Sequence, residues 1–160
     1  MNSRGIFIVL LGLILAFAGC SRHDGERQAL LDKLAHAPAS DLPPVLYGYE
    51  QSSAGAQKIL LNMLGLLHAP SPDQKMELVE IRQSGRFSMI VVRAPWLEEK
   101  VPSTVWPILV TEVDGVQKVV GYVLPFDDIW PLIPATDKSD IYELAGWWAD
   151  QKANGAWKKE

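Results

Sequence analysis

The sequence predicts an α+β domain, in which a four-stranded antiparallel sheet of two hairpins packs with N-terminal helices and a C-terminal helix. Two dipeptides carry the sheet. Ser84-Gly85 and Asp114-Gly115 each stand between stretches rich in Val, Ile, Leu and Met, the pattern of a tight turn joining two strands. The third observation is helical periodicity on either side of that block, where apolar residues recur three and four positions apart.

The first helix is expected over His23 to Ala37. Leu30, Leu31 and Leu34 form its apolar stripe, and Glu26, Arg27, Asp32 and Lys33 its charged back. Pro38 to Pro44 cannot prolong it and reads as an extended connector, followed by a short strand or loop at Val45 to Tyr49. The second helix spans Ala54 to Leu67 and is apolar on most sides. Ile59, Leu60, Leu61, Met63, Leu64, Leu66 and Leu67 leave Lys58 and Asn62 as its polar edge. Such a helix is either buried in its own domain or masked by a partner. Pro70 and Pro72 end it.

Met76 to Gln83 is expected to pair with Arg86 to Arg93 around Ser84-Gly85. Val105 to Val113 pairs with Val116 to Leu124 around Asp114-Gly115, a dipeptide suited to a type I′ turn. That turn sets Val113 opposite Val116, Thr111 opposite Lys118 and Leu109 opposite Val120. The base of this hairpin is apolar on both faces and therefore covered, while its tip is polar. Residues 94–102 form a loop between the hairpins, with Trp96 near its start. Pro125 to Pro134 holds too many prolines for a central strand. A last helix is capped by Ser139 or Asp140 and runs to about Lys152, with Ile141, Leu144, Ala145 and Trp148 on one stripe. The expected arrangement puts helices over one face of the sheet. The domain covers residues 25–152, and residues 153–160 form a short tail.

The N-terminus has a different character. Arg4, the apolar run Ile6 to Ala18, and small residues just before Cys20 supply the charged, apolar and cleavage regions of a secretory signal. The run is shorter than the ~20 residues that cross a bilayer. Cys20 is the single cysteine of the chain, and a lone thiol in a secreted protein is otherwise open to oxidation. With its tetrad Phe17-Ala18-Gly19-Cys20, the segment resembles the lipobox of bacterial membrane lipoproteins. The resemblance implies that residues 1–19 are a cleaved signal peptide whose Phe17, Ala18 and Gly19 are read by the signal peptidase. Phe17 stands where the family prefers Leu. It also implies a diacylglycerol on the Cys20 thiol, a second acylation on its amine, and residues 20–24 as a tether. Ser21 stands where lipoproteins kept in the inner membrane often carry Asp. The implied location is therefore the outer membrane, facing the periplasm, with the periplasmic face of the inner membrane as the alternative. Two or more acyl chains make such an attachment stable.

Loss of residues 1–19 removes one charge, that of Arg4, and moves the formal net charge from −4 to −5. A mildly acidic body without a basic cluster argues against nucleic acid as a partner and against electrostatic docking on anionic lipid. His23, His36 and His68 lack metal-ligand spacing, and no Gly-x-Ser-x-Gly elbow is present. The carboxylates Glu98-Glu99, Asp127-Asp128 and Asp137, Asp140, Glu143 are adjacent in sequence or gathered at a helix start, where negative charge is favoured anyway. Glycosidic chemistry needs two that converge across a cleft. No metal or cofactor is expected beyond the covalent lipid.

The aromatics are the stronger lead. All six tryptophans lie in the second half of the chain. Trp106-Pro107-Ile108-Leu109 and Trp130-Pro131-Leu132-Ile133 share one pattern on either side of the second hairpin, an arrangement expected to bring Trp106, Tyr122 and Trp130, with Trp96, toward one end of the sheet. Core packing is the competing use of these rings. Trp147 and Trp148 point about 100° apart on a helix, so Trp147 is expected to be partly exposed or covered by the tail. The candidate binding face is Trp106, Tyr122, Asp127, Asp128, Trp130 and Trp147. The expected function is a tethered, non-enzymatic protein-interaction module of the envelope-assembly or inhibitor type. A small-molecule or lipid-binding cup on the sheet is the alternative, and a hydrolase with an unrecognised site comes third.

Overall fold

The computed structural model describes residues 25–98 and 105–157. The lipobox, with Phe17, Ala18, Gly19 and Cys20, lies outside the described residues, as do His23 and the second part of the loop between the hairpins. Helix α1 covers residues 25–36. Helix α2 (Ala54–Gly65) is capped by Ser53, whose hydroxyl accepts from the Ala56 amide at 3.2 Å. Strands β1 (Glu77–Ser84), β2 (Phe87–Arg93), β3 (Trp106–Val113) and β4 (Val116–Gly121) form one antiparallel sheet in the order β1-β2-β3-β4. A one-turn helix α3 (Pro95–Glu98) follows β2, and α4 (Lys138–Ala153) comes last. Among the described residues no helix is long and apolar enough to cross a membrane.

The four-stranded α+β architecture is the expected one, and several local features differ. Pro38 to Pro44 is not extended: Ala39–Asp41 and Pro43–Val45 are single 3-10 turns, since a proline-fixed φ near −65° suits the first residue of a tight turn as well as an extended chain. Residues 94–98 are not all loop, because α3 forms there. Helix α4 begins at Lys138, earlier than a cap at Ser139 or Asp140 would place it.

The first hairpin turns on Gly85-Arg86, not Ser84-Gly85, with Ser84 paired to Phe87. Gly85 has φ +53°, and a turn that needs positive φ at its first central residue selects glycine there. Ser84 stays in the ladder as a result. The second hairpin turns as expected, with Asp114 at φ 52° and Gly115 at φ 75°, and Val113 and Thr111 face Val116 and Lys118. Leu109 does not face Val120. It pairs with Gly121 across a register shift, which leaves Val120 as the extra residue of a bulge.

Beyond that bulge the chain doubles back. A Cβ on Gly121 would lie 2.0 Å from the Leu124 carbonyl oxygen and 2.7 Å from the Pro125 Cα. The Phe126 amide donates to the Val120 carbonyl at 3.1 Å. This reversal stops β4 at Gly121, short of the expected end at Leu124.

Helices cover both faces of the sheet, not one. Glu80, Arg82 and Ser84 alternate along β1 and meet α4 and the tail after it. Gln83, Ser88, Glu112 and Gln117, which lie on the opposite face by the strand register, surround Arg27 of α1. All residues of β2 from Phe87 to Val92 are buried in consequence, which is the burial of a strand covered on both sides. Ile141, Leu144 and Trp148 of α4 and Leu30, Leu31 and Leu34 of α1 enter one continuous core with Leu60, Leu64 and Leu67. The outer strand β1 keeps Glu77, Glu80 and Arg82 at its edge, a charged rim that discourages edge pairing. At the β4 edge, Leu46 bridges Val119 and the Tyr47 amide donates to the Val119 carbonyl at 2.9 Å.

Candidate functional site

Of the six residues of the expected binding face, Tyr122, Asp127 and Asp128 line one groove, and the aromatic contacts of Trp130 and Trp147 are made to other residues. Trp106 and Tyr122 do come together, their rings edge-on at 5.5 Å, and Phe126 meets Tyr122 in the same manner at 5.4 Å. Tyr122 reaches further: its hydroxyl donates to the Met63 carbonyl of α2 at 2.5 Å. Burial pushes the Tyr122 phenol well above its ordinary pKa, because the phenolate loses hydration there. Trp130 sits elsewhere, edge-on to Tyr142 of α4 at 5.5 Å with the Lys138 ammonium 4.9 Å from its ring centre. Trp147 is half-buried against Trp157, whose ring also stacks on Trp148 at 4.9 Å. The indole N–H of Trp157 donates to Glu80 at 3.0 Å. The tail thus folds back over the helix, and Trp148, beside Trp147, lines a depression with Trp106 and Tyr122.

Asp127 and Asp128 are exposed, and the space beside them is the most informative feature of the surface. A groove of about 410 Å³ lies between α2 and the reversal at residues 122–128, lined by Ile59, Leu60, Met63, Tyr122, Leu124 and Phe126 among others, and by Asp127 and Asp128. Ile59 is 56% exposed and Leu124 46% exposed. These are large aliphatic side chains left in water, one from α2 and one from the reversal, that line the same depression. The physical origin lies in the sequence of α2. Its inner face, Ala56, Leu60 and Leu64, is consumed by the core. Ile59 and Leu66, seven residues apart, share the outward side, and Leu66 is 53% exposed.

A second groove of about 440 Å³ is lined by Pro44, Tyr47, Tyr49, Lys118 and Leu132 among others. It is the more self-satisfied of the two. The Lys118 ammonium donates to the Pro44 carbonyl at 2.5 Å, and none of the strongly exposed aliphatic residues lines it.

The other carboxylates serve the fold. The Arg86 guanidinium meets Asp137 at 2.8 Å and lies over the Tyr47 and Phe87 rings. The Ser84 hydroxyl donates to Glu143 at 2.7 Å and approaches Asp140 at 3.4 Å. Gly85 leaves room for the Asp140 carboxylate, which would sit 2.0 Å from a Cβ there. These contacts fasten the first hairpin to the start of α4. By contrast, Asp127 and Asp128 have no ion-pair or side-chain hydrogen-bond partner among the described residues.

His36 is the last residue of α1, and His68 lies three residues beyond α2. Among the described residues no group of three or more His, Cys, Asp or Glu side chains is placed to hold a metal ion. Met89, Ile90, Ile108, Leu109, Val110, Val119 and Val120 are fully buried, so side chains fill both faces and the free space lies in peripheral grooves.

Sequence reasoning missed Ile59, Met63 and Leu124. The all-round apolarity of residues 54–67 was their signal, and the reversal at Gly121 that brings Leu124 to α2 had none. No protein family, curated protein or solved structure matches this chain.

Proposed function

We propose that this protein is a lipid-tethered lipoprotein of the bacterial outer membrane, facing the periplasm, whose domain is a non-enzymatic protein-interaction module. The lipobox-like tetrad ending in Cys20 supports the tether. The groove between α2 and residues 122–128 carries the second part, because exposed Ile59 and Leu124 face one depression. Contiguous exposed apolar surface with a polar rim is the mark of a docking site. The carboxylates best placed for chemistry beside a hydroxyl, Asp140 and Glu143, are engaged by Ser84 in holding α4.

The experiment is in-cell photo-cross-linking of the full chain with the reactive residue at Ile59 or Leu124, and at Tyr142 on α4 as an exposed control. Cys20→Ala provides the untethered comparison. A single stoichiometric adduct at Ile59 and Leu124, absent at Tyr142 and weakened without the tether, is the expected result. Equal adducts at all three positions, or none at the groove, would remove the groove from the reading. Membrane fractionation unchanged by Cys20→Ala would remove the tether.

A further inference from the structure

We infer that the occupant of the groove is a basic, amphipathic helical segment of a partner protein. The inference rests on the docking reading above and adds its chemistry. Ile59 and Met63 stand one helical turn apart, at i and i+4, on α2, and both line the groove together with Leu124 from the reversal. That is a receptor for apolar side chains spaced along one helix face. Asp127 and Asp128 are the charged side chains lining the groove among the described residues, both negative and both exposed. Neither is neutralised by another described residue. A lysine or arginine flanking the apolar stripe of the incoming helix would meet them in the groove, where the neighbouring apolar wall limits solvent screening.

The same charges disfavour two other occupants. A second copy of this chain would bring a further Asp127-Asp128 pair and a body of formal charge −5, that of the chain without residues 1–19 and their Arg4, to the same place. An anionic bilayer surface would repel the pair as well.

The test uses the full chain in detergent and three short helical probe peptides that share a leucine stripe. Their remaining positions are lysine in the first, glutamine in the second and glutamate in the third. Binding is read by fluorescence anisotropy at low and at physiological salt, with groove engagement read by competition between probes. The lysine peptide is expected to bind about tenfold more tightly than the glutamine peptide and to lose much of that advantage as salt rises. Asp127→Asn with Asp128→Asn should erase the advantage and leave glutamine-peptide binding intact. Asp73→Asn with Asp114→Asn, which removes the same charge from exposed sites elsewhere, should leave the preference unchanged. Leu124→Ser should weaken every probe, and an unchanged far-UV spectrum and urea midpoint show that the variant is folded.

Equal binding of the lysine and glutamine peptides, or equal effects of the two double substitutions, would overturn the basic partner while leaving the groove standing. Indifference of every probe to Leu124→Ser would overturn the groove itself, and the inference with it.

Discussion

Asp137, Asp140 and Glu143 stand at the start of α4, and Asp127 and Asp128 stand ten residues earlier on the reversal beside α2. Similar carboxylates in neighbouring stretches of chain meet opposite circumstances. The first three face Arg86, Ser84 and Arg82 across the hairpin, at 2.8 Å, 2.7 Å and 4.0 Å for the Asp137, Glu143 and second Glu143 contacts. The other two face water and an apolar groove. Where a carboxylate is matched by donors from a distant strand, it is part of how the domain is assembled. Where it is left unmatched in the lining of an apolar depression, its removal costs the fold little, and it is free to act on something else.

Breaking the wall of the groove gives the largest expected effect. Gly121→Ala forces a Cβ against the Leu124 carbonyl and the Pro125 Cα, which are backbone and cannot swing away. A loss of about 3 kcal/mol in urea denaturation is expected, of the size seen for overpacking at a tight site. Leucine-peptide binding should fall with it. Full stability in Gly121→Ala would mean that the reversal is not held as described.

Ser84→Ala tests the other side of the comparison. It deletes the hydroxyl that donates to Glu143 and lies near Asp140, and should cost about 1–2 kcal/mol, since bonds to charged acceptors are the stronger kind. Peptide binding should not change. If Ser84→Ala proved neutral, the carboxylates of α4 would not be the fasteners they are taken to be here.

Tyr122 belongs to the groove and has its own signature. Tyr122→Phe removes the bond to the Met63 carbonyl and should cost about 1 kcal/mol at neutral pH. The pH dependence follows from the raised phenol pKa, caused by burial. The unfolded chain ionises at the ordinary value of about 10 while the folded chain still holds its proton, so the unfolded state binds fewer protons above that pH. The stability linked to Tyr122 is complete below about pH 10 and is lost progressively as pH rises beyond it. Comparing urea midpoints at about pH 8 and about pH 11 should show a smaller decline in Tyr122→Phe than in the natural chain. Equal declines would place the phenol in water.

The smallest effect belongs to the acidic pair. Asp127→Asn with Asp128→Asn should shift stability by no more than about 0.5 kcal/mol, as for exposed side chains without partners. A loss comparable to that of Ser84→Ala would erase the contrast between the two regions.

How far the sequence reaches can be judged from single positions. Asp114-Gly115 could be assigned its turn because both residues must take positive φ, and that demand is local. Ile141, Leu144 and Trp148 could be assigned to the core because helical spacing alone puts them on one face. Leu109 opposite Val120 was a sound extrapolation of that turn and is wrong, because a bulge at Val120 depends on how the chain packs after the strand. Ser84-Gly85 had the right glycine in the wrong turn position, a matter of which residue needs positive φ. The ring contacts of the six-residue binding face were beyond reach for a similar reason. Ring identity is written in the sequence, whereas the partner of each ring is set by elements far away: Trp130 by α4, Trp147 by the tail, Tyr122 by α2.

The α+β class, the two hairpins and the apolar stripes of the helices are legible from the residues alone, because these follow from local φ preference and from side-chain period. The sequence also carries the resemblance that points to a lipid on Cys20. Tertiary structure decided that helices cover both faces of the sheet, that α2 keeps Ile59 and Leu66 in water, and that Leu124 closes on it to form a groove lined in part by two unmatched carboxylates. Those outcomes depend on long-range packing, in which each element buries the face that its neighbours can cover and leaves the remainder for solvent or for a partner.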